Sequence, residues 1–354
     1  MKKIIILILA AAIAVGIFSG CGSAGKAEVK PDNAITENVK AEESKTNDKL
    51  KIVATIFPVY DWIRQIVGDG NENVDLSILI DNGTDLHSYQ PTSEDMLKIS
   101  SADIFVYVGG HSDDWVDAVL DNIDNSSMVT VNLFDVLADS LKPLKAVEGM
   151  EHNHHHNDDH DHEHEHEHEH EHEHNTVNDE HVWLSISRAV RTVKYITPIL
   201  MDMDAENAAV YSDNALAYIS KLEALDENYR DVITNARLGT VLFADRFPFF
   251  YMADDYGLNY YAAFTGCSAE SEASFETVAF LAKKTDELGI KTVLTIENRS
   301  HKIPETVIEN THAKDQHIAE LNSLQSVTTK DIENGLNYYE VMASNLEVLK
   351  EALT

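Results

Sequence analysis

AENAAVYSDNALAYISKLEALDENYRDVITNA, the segment formed by residues 205–236, carries an apolar side chain at every third or fourth position for most of its length. This spacing places the apolar side chains on one face of an α-helix, and a helix of about thirty residues is roughly 45 Å long. The sequence therefore predicts one long amphipathic helix past the middle of the chain. Its expected buried face consists of Val210, Leu216, Ile219, Leu222, Leu225, Tyr229 and Ile233.

Short apolar runs rich in β-branched residues lie on both sides of this segment and alternate with helix-like runs. Such alternation predicts buried parallel strands connected by helices. We therefore expect an α/β protein with two parallel-sheet lobes joined by the one long, rigid helix. Ligands of such sheets bind beyond the carboxyl ends of the strands, here in a cleft between the lobes. The strand candidates are residues 50–57, 73–80, 103–110 and 128–134 before the helix, and 239–244, 258–264, 291–296 and 317–322 after it.

The N-terminus has the features of a secretory signal. Lys2 and Lys3 precede an apolar run that begins at Ile4, and the run ends in FSGC at residues 18–21. This ending is similar to a bacterial lipobox, which predicts cleavage before Cys21, lipidation of that cysteine and an extracytoplasmic protein anchored to the cell membrane. The predicted organisation is a signal peptide at 1–20, a flexible tether at 21–49, an N-terminal lobe at 50–204, the linking helix at 205–236 and a C-terminal lobe at 237–354.

The composition narrows the possible partners. The formal net charge of −34 argues against nucleic-acid binding, which depends on a basic surface, and it favours the attraction of cations. The chain has two cysteines, so lipidation of Cys21 would leave Cys267 without a disulfide partner in the chain.

A histidine-rich run at 151–176 interrupts the predicted N-terminal lobe. It contains no apolar side chain between Asp161 and His174, where histidine alternates with glutamate, so we expect a mobile loop. Runs of this composition bind metal ions; an engineered tag and a solubilising run are the alternatives. The expected weak metal ligands are His152, His154, His155, His156, His160, His162, His164, His166, His168, His170, His172 and His174.

Two further histidines lie at the ends of predicted elements: His87 in the loop after a predicted strand, and His181 just before a predicted helix. His87 lies in DNGTDLHSYQP at 81–91, and His181 lies in NDEHVWL at 178–184. Both segments resemble motifs of the zinc- and manganese-binding lipoproteins of bacterial ABC importers, the cluster A-I family. The resemblance extends to VYVGGHSDDWVDAVL at 106–120, DDYGL at 254–258 and NGLNYYEVMASNLEVLKEAL at 334–353, and so covers nearly the whole mature chain.

The resemblance implies that His87 and His181 bind one metal ion in the cleft. The third histidine of the family aligns with Arg246, whose guanidinium cannot be a ligand. The adjacent Asp245 either replaces it or forms an ion pair with Arg246. Cys267 is either a thiolate ligand or a small buried hydrophobe. The remaining candidates are Glu297, at a family position near the cleft, and Asn322, which aligns with the family's fourth ligand.

The function implied is capture of Zn2+ outside the cytoplasm and its delivery to an ABC-type metal permease and its ATPase. Imidazole ligands and the histidine-rich run favour zinc over Mn2+, which prefers oxygen ligands. The alternatives are a manganese- or iron-specific member of the same family, and an extracellular metal buffer or adhesin that is not coupled to import. We do not expect an enzyme, because no metalloprotease, serine-nucleophile or phosphate-loop motif occurs outside the repeat.

Overall fold

The computed structural model describes residues 49–150, 177–268 and 272–354. The predicted signal peptide, Cys21, nearly all of the predicted tether and the histidine-rich run at 151–176 lie outside these ranges. Within them, no helix combines the length and apolar character needed to cross a membrane.

Two four-stranded parallel sheets form the framework of the molecule, as the sequence predicts. In the first sheet the order is β2-β1-β3-β4, and in the second it is β6-β5-β7-β8, so the strands of both sheets follow the same order along the chain. The strands are β1 (Leu50–Ala54), β2 (Val74–Ile78), β3 (Ile104–Tyr107), β4 (Val129–Asn132), β5 (Thr240–Phe247), β6 (Asn259–Thr265), β7 (Thr292–Ile296) and β8 (His317–Leu321).

Helices connect the strands and cover the sheets. Residues of both lobes, together with the helices between them, form one continuous apolar core. The helices are α1 (Phe57–Val67), α2 (Ser93–Ser100), α3 (Trp115–Leu120), α4 (Leu133–Val136), α5 (Ile186–Met203), α6 (Ala208–Thr234), α7 (Phe250–Tyr256), α8 (Phe275–Leu288), α9 (Lys302–Glu309), α10 (Thr329–Glu333) and α11 (Tyr338–Ala352).

Helix α6 lies within the segment predicted to be a long helix, but its buried face differs from the expected one. Val210 and Leu216 are 52% and 64% exposed, so the prediction for these two residues was wrong. Tyr211, Ala215 and Tyr218 are buried in their place. A count of aliphatic spacing underrates tyrosine, which can bury its ring while its hydroxyl finds a polar partner. The hydroxyl of Tyr211, for example, donates to Asp204 at 2.6 Å.

The loop that follows β2 pairs directly with the chain that follows β8. The backbone N–H of Gly83 donates to the carbonyl of Val327 at 3.0 Å, and the N–H of Thr329 donates to the carbonyl of Asp81 at 2.6 Å. These bonds hold the carboxyl ends of the two sheets against each other. The loops that carry the candidate ligands therefore meet between the lobes.

Candidate metal site

His87 lies in a 3-10 turn, Leu86–Ser88, in the loop after β2. The Asp85 carboxylate accepts the backbone N–H of His87 at 3.0 Å, which fixes the start of this turn. Nδ1 of His87 lies 2.6 Å from Ser112 Oγ, and that hydroxyl donates to Glu180 Oε2. Because the hydroxyl hydrogen is used on Glu180, Ser112 accepts the Nδ1 hydrogen of His87. The free lone pair of this imidazole is therefore on Nε2.

His181 is fully buried and directly precedes the 3-10 turn Val182–Leu184, which leads into α5. Asp179 Oδ1 lies 3.0 Å from Nδ1 of His181 and also accepts its backbone N–H at 2.9 Å. An ionised carboxylate only accepts hydrogen bonds, so Nδ1 carries the hydrogen and Nε2 the lone pair. Trp183 Nε1 donates to the carbonyl of Ser323 at 3.0 Å, which holds the His181 segment against the C-terminal lobe.

The two imidazoles face each other through their free nitrogens. Nε2 of His87 lies 3.1 Å from Nε2 of His181, and the ring centroids are 5.1 Å apart. Two lone pairs at this distance repel each other unless a proton or a cation lies between them. Two nitrogens bound to one tetrahedral Zn2+ at about 2.0–2.1 Å would lie roughly 3.3 Å apart. The observed spacing is therefore close to the spacing that a shared metal ion requires.

Buried carboxylates orient both rings, an arrangement that is common around metal-bound histidines. Burial alone would raise the pKa of Glu180, but hydrogen bonds from His87 and Ser112 stabilise its ionised form and lower the pKa to about 2. The backbone N–H of Ser112 adds a further bond to Glu180 at 2.9 Å. The carboxylate of Glu180 therefore stays charged at neutral pH and holds Ser112 against His87.

Cys267 brings a third potential ligand from the C-terminal lobe. It lies two residues after β6, and its sulfur and one nitrogen from each of His87 and His181 all lie within 4.8 Å of one another. No Asp or Glu of the described ranges belongs to this group. Burial raises the pKa of the Cys267 thiol above its ordinary value, and the charges of Asp179 and Glu180 raise it further. Without a cation in the site, the thiol is therefore protonated.

Gly266 allows the chain before Cys267 to approach His181. A Cβ atom at this position would lie 2.9 Å from Cε1 of His181 and 2.9 Å from the backbone oxygen of Phe247. These distances are shorter than the contacts that Cβ atoms make in proteins, so any side chain here would push the loop away. The absence of a side chain at position 266 thus brings the thiol to the imidazoles.

Arg246 is almost completely buried, and its guanidinium cannot bind a metal ion. Its guanidinium pairs with Asp85 and donates to Gln325 Oε1 at 2.8 Å. The expected alternative of an ion pair between Arg246 and the side chain of Asp245 is therefore wrong. Asp245 accepts the backbone N–H of Arg246 at 2.8 Å and the hydroxyl of Thr295 at 2.6 Å.

Glu297 likewise lies outside the group formed by the two imidazoles and the thiol. The carboxylate of Glu297 accepts the N–H and the hydroxyl of Ser323, both at 2.7 Å. The side-chain oxygen of Asn322 accepts the N–H of Leu324 at 2.8 Å. Both side chains therefore stabilise the loop after β8.

Sequence reasoning missed Ser112, Asp179, Glu180 and Gly266 as parts of this site. Asp179 and Glu180 precede His181 in the chain, and this adjacency was a usable signal, because carboxylates commonly orient metal-binding histidines. The sequence carries no comparable signal for Ser112, which meets His87 only through the fold.

Two zinc proteins have sequences similar to this chain over most of its length. The zinc-binding protein AdcA of Streptococcus pyogenes (serotype M3) is 33% identical over 311 residues, which cover 88% of this chain and 57% of the relative. The chain thus spans little more than half of that relative. The high-affinity zinc uptake system protein ZnuA of Bacillus subtilis is 31% identical over 316 residues, which cover 89% of this chain and 91% of the relative.

Solved structures have the same architecture. The Zn(II)-bound ZnuA-like domain of Streptococcus pneumoniae AdcA aligns with a TM-score of 0.65 and 30% identity, over 86% of this chain and 99% of the domain. The metal-dependent lipoprotein YcdH of Bacillus subtilis aligns with a TM-score of 0.67 and 27% identity, over 86% of this chain and 99% of that one. Residues 52–352 also match a family profile from end to end of the described lobes. With two matching sheets, paired imidazoles in the cleft and this match, the chain belongs to the family described as ZnuA, zinc-uptake complex component A, periplasmic.

Proposed function

We propose that this chain captures Zn2+ outside the cytoplasm and delivers it to an ABC-type importer composed of a metal permease and its ATPase. The observation that carries the proposal is the distance of 3.1 Å between Nε2 of His87 and Nε2 of His181. Each of these nitrogens carries a free lone pair. Each ring is held in this tautomer by a partner on Nδ1. A divalent cation removes the repulsion between the lone pairs and gives both nitrogens a ligand role.

Zinc is favoured over the manganese- or iron-specific alternative by the atoms that surround the site. Two imidazole nitrogens and a sulfur suit a borderline-soft ion, whereas manganese favours oxygen ligands. The names of the relatives point to the same ion. The site binds the ion reversibly and carries out no catalytic step.

The proposed location is the outer face of the cell membrane, with the lipid anchor at Cys21. It is supported by the signal-like N-terminus and by the name of a relative 33% identical over 312 residues, the zinc-binding lipoprotein AdcA of Streptococcus pneumoniae. We also infer the organisation into a signal at 1–20, a tether at 21–49, lobes at 50–204 and 237–354, and a linking helix at 205–236.

Titration calorimetry tests the site. Wild-type protein should bind one tight equivalent of Zn2+, and the double variant His87→Ala/His181→Ala should lose it. The matched control is His111→Ala/His312→Ala, because these two imidazoles are 83% and 93% exposed. A tight equivalent that survives in the first double variant would overturn the assignment.

Growth under zinc limitation separates import from the buffer or adhesin alternative. Cells without this chain should regain zinc uptake with the wild-type gene and not with the His87→Ala/His181→Ala gene. If the wild-type gene restores uptake equally well in cells that lack the permease, the protein is not the importer's capture component.

A further inference from the structure

We propose that Cys267 is the metal ligand of the C-terminal lobe, and that its thiolate makes the cleft select thiophilic ions such as Zn2+, Cd2+ and Cu+ against Mn2+. The inference rests on the proposed function, because it concerns the same ion. It adds a ligand, and with it a basis for selectivity.

The first support is the position of the sulfur. Cys267 forms a group with His87 and His181 in which all three ligand atoms lie within 4.8 Å of one another. The four ligand atoms of a tetrahedral zinc ion, at about 2.0–2.3 Å from the metal, lie within about 4 Å of one another. A small inward shift of the sulfur would therefore let Cys267, His87 and His181 supply three of the four ligands.

The second support is that the other candidates of the C-terminal lobe are engaged elsewhere. Asp245 is held by Thr295, and Glu297 by Ser323. Arg246 is cationic and points to Asp85. Among the His, Cys, Asp and Glu side chains of the described ranges, Cys267 is therefore the one from this lobe that joins the two imidazoles.

The third support is the charge around the cleft. A thiolate and two neutral imidazoles leave a divalent ion with one net positive charge. The carboxylates of Asp179 and Glu180, which contact the imidazoles, lie near enough to offset that charge. The Arg246 guanidinium is already neutralised by Asp85. The site therefore needs no carboxylate ligand to balance the ion.

The selectivity follows from the type of ligand. Thiolates bind soft and borderline ions strongly, whereas Mn2+ prefers carboxylate, carbonyl and water oxygens. With nitrogen and sulfur as its protein ligands, this cleft should bind Cd2+ at least as tightly as Zn2+ and should bind Mn2+ poorly.

Cobalt serves as the spectroscopic probe, because a thiolate bound to Co2+ produces a charge-transfer band in the near ultraviolet. The experiment uses the full chain with Cys21→Ser, which leaves Cys267 as its single thiol. One equivalent of Co2+ should produce this band together with the visible bands of a tetrahedral ion. Cys267→Ser should remove the charge-transfer band, and the His111→Ala/His312→Ala control should keep it.

Affinity supplies the second arm. Cys267→Ser should weaken Cd2+ binding by more than about a hundredfold, because even a residue that only orients a ligand costs about 10- to 100-fold. The same substitution should change Mn2+ binding far less. Equal losses for Cd2+ and Mn2+ would overturn the selectivity.

The outcomes separate this inference from the proposed function. If Co2+ binding depends on His87 and His181 but gives no charge-transfer band, the thiolate assignment fails and zinc capture stands. If Co2+ binding is indifferent to both histidines, the proposed function fails. Should Cys267→Ser not fold, alkylation of the unsubstituted thiol replaces it: labelling should be slow with Zn2+ bound and fast after chelation, and equal rates would overturn the inference.

Discussion

The Arg246 guanidinium pairs with the Asp85 carboxylate, and that same carboxylate accepts the backbone N–H of His87. Arg246 belongs to β5 of the C-terminal lobe, whereas Asp85 lies in the loop after β2 of the N-terminal lobe. One ion pair, in which Arg246 is buried and Asp85 partly buried, thus connects the lobes and also fixes the turn that presents a proposed ligand. A residue that cannot bind the metal itself acts on the site in this way.

Arg246→Ala should therefore weaken the tight zinc site by about 10- to 100-fold, because Asp85 loses the partner that holds it beside His87. It should also lower the free energy of unfolding by about 1–3 kcal/mol, because the partly buried Asp85 carboxylate keeps only the Arg299 guanidinium at 4.0 Å as a cationic partner. Competition with a chelator measures the first effect and urea unfolding the second. Arg230→Ala is the matched control, since Arg230 is 56% exposed and its pairing with Asp226 is at the surface. Unchanged zinc affinity in Arg246→Ala would exclude this role.

Gly266→Ala should weaken zinc binding by about tenfold or more while the fold persists, because its Cβ would displace the loop from His181. The control is Gly239→Ala, where a Cβ would meet no atom within 4 Å. Calorimetry on both variants makes the comparison. If the two variants bind zinc equally well, close approach at position 266 does not matter to the site.

Asp113 should make the free energy of unfolding depend on pH. Burial raises its pKa from 3.8 to about 7, although backbone N–H groups of Gly109 and Val108 partly oppose the shift. Between these two values the folded state holds a proton that the unfolded state releases, so stability falls as pH rises from about 4 to 7. Asp113→Asn should remove this dependence, so its stability relative to wild type should rise by a few kcal/mol over that interval.

Urea unfolding at several pH values, with chelator present to exclude metal, measures this difference. The exposed Asp117 provides the control, because Asp117→Asn removes the same charge without altering a buried carboxyl group. A difference between Asp113→Asn and wild type that stays constant from pH 4 to 7 would contradict the assignment.

Deleting residues 151–174 should leave the tight site intact and remove several weak zinc equivalents. The chain on either side of the run is held independently of it: the N–H of Leu144 donates to the carbonyl of Val177 at 2.9 Å, and that of Asp179 donates to Lys142 at 3.0 Å. In the intact protein the weak equivalents should vanish as pH falls through about 6, because imidazolium binds no metal. Calorimetry counts the equivalents, and uptake at limiting zinc tests their use. If the deleted form imports zinc as well as wild type at every zinc level, the run is not a capture device.

Most of the framework was predictable because it depends on local pattern. Eight apolar runs become eight strands, because short runs rich in apolar and β-branched residues favour the strands of a parallel sheet. The buried face of α6 was less predictable. Whether Leu216 or Tyr218 faces the core depends on the helices packed around α6, and spacing alone does not contain that information.

The site residues, like the framework, were predictable only in part. His87 and His181 stand in motifs that can be recognised along the chain, whereas the partner of Arg246 cannot. Asp85 and Arg246 are separated by 161 residues, and only the closure of the lobes brings them together. The sequence left Cys267 with two roles for a similar reason. A cysteine that packs as a small hydrophobe and a cysteine that faces two imidazoles look the same in a sequence, and only the position of the loop after β6 distinguishes them.

The shared strand order of the two sheets gives the site an internal repetition. β2 and β6 are the second strands of their respective lobes, and each lies at the edge of its sheet. His87 lies in the loop after β2, and Cys267 lies in the loop after β6. The imidazole and the thiol therefore come from corresponding loops of two similar halves. Such halves need not offer the same chemistry. A substitution in one loop can change which ion the cleft prefers, while the counterpart loop keeps its contacts and its half of the fold.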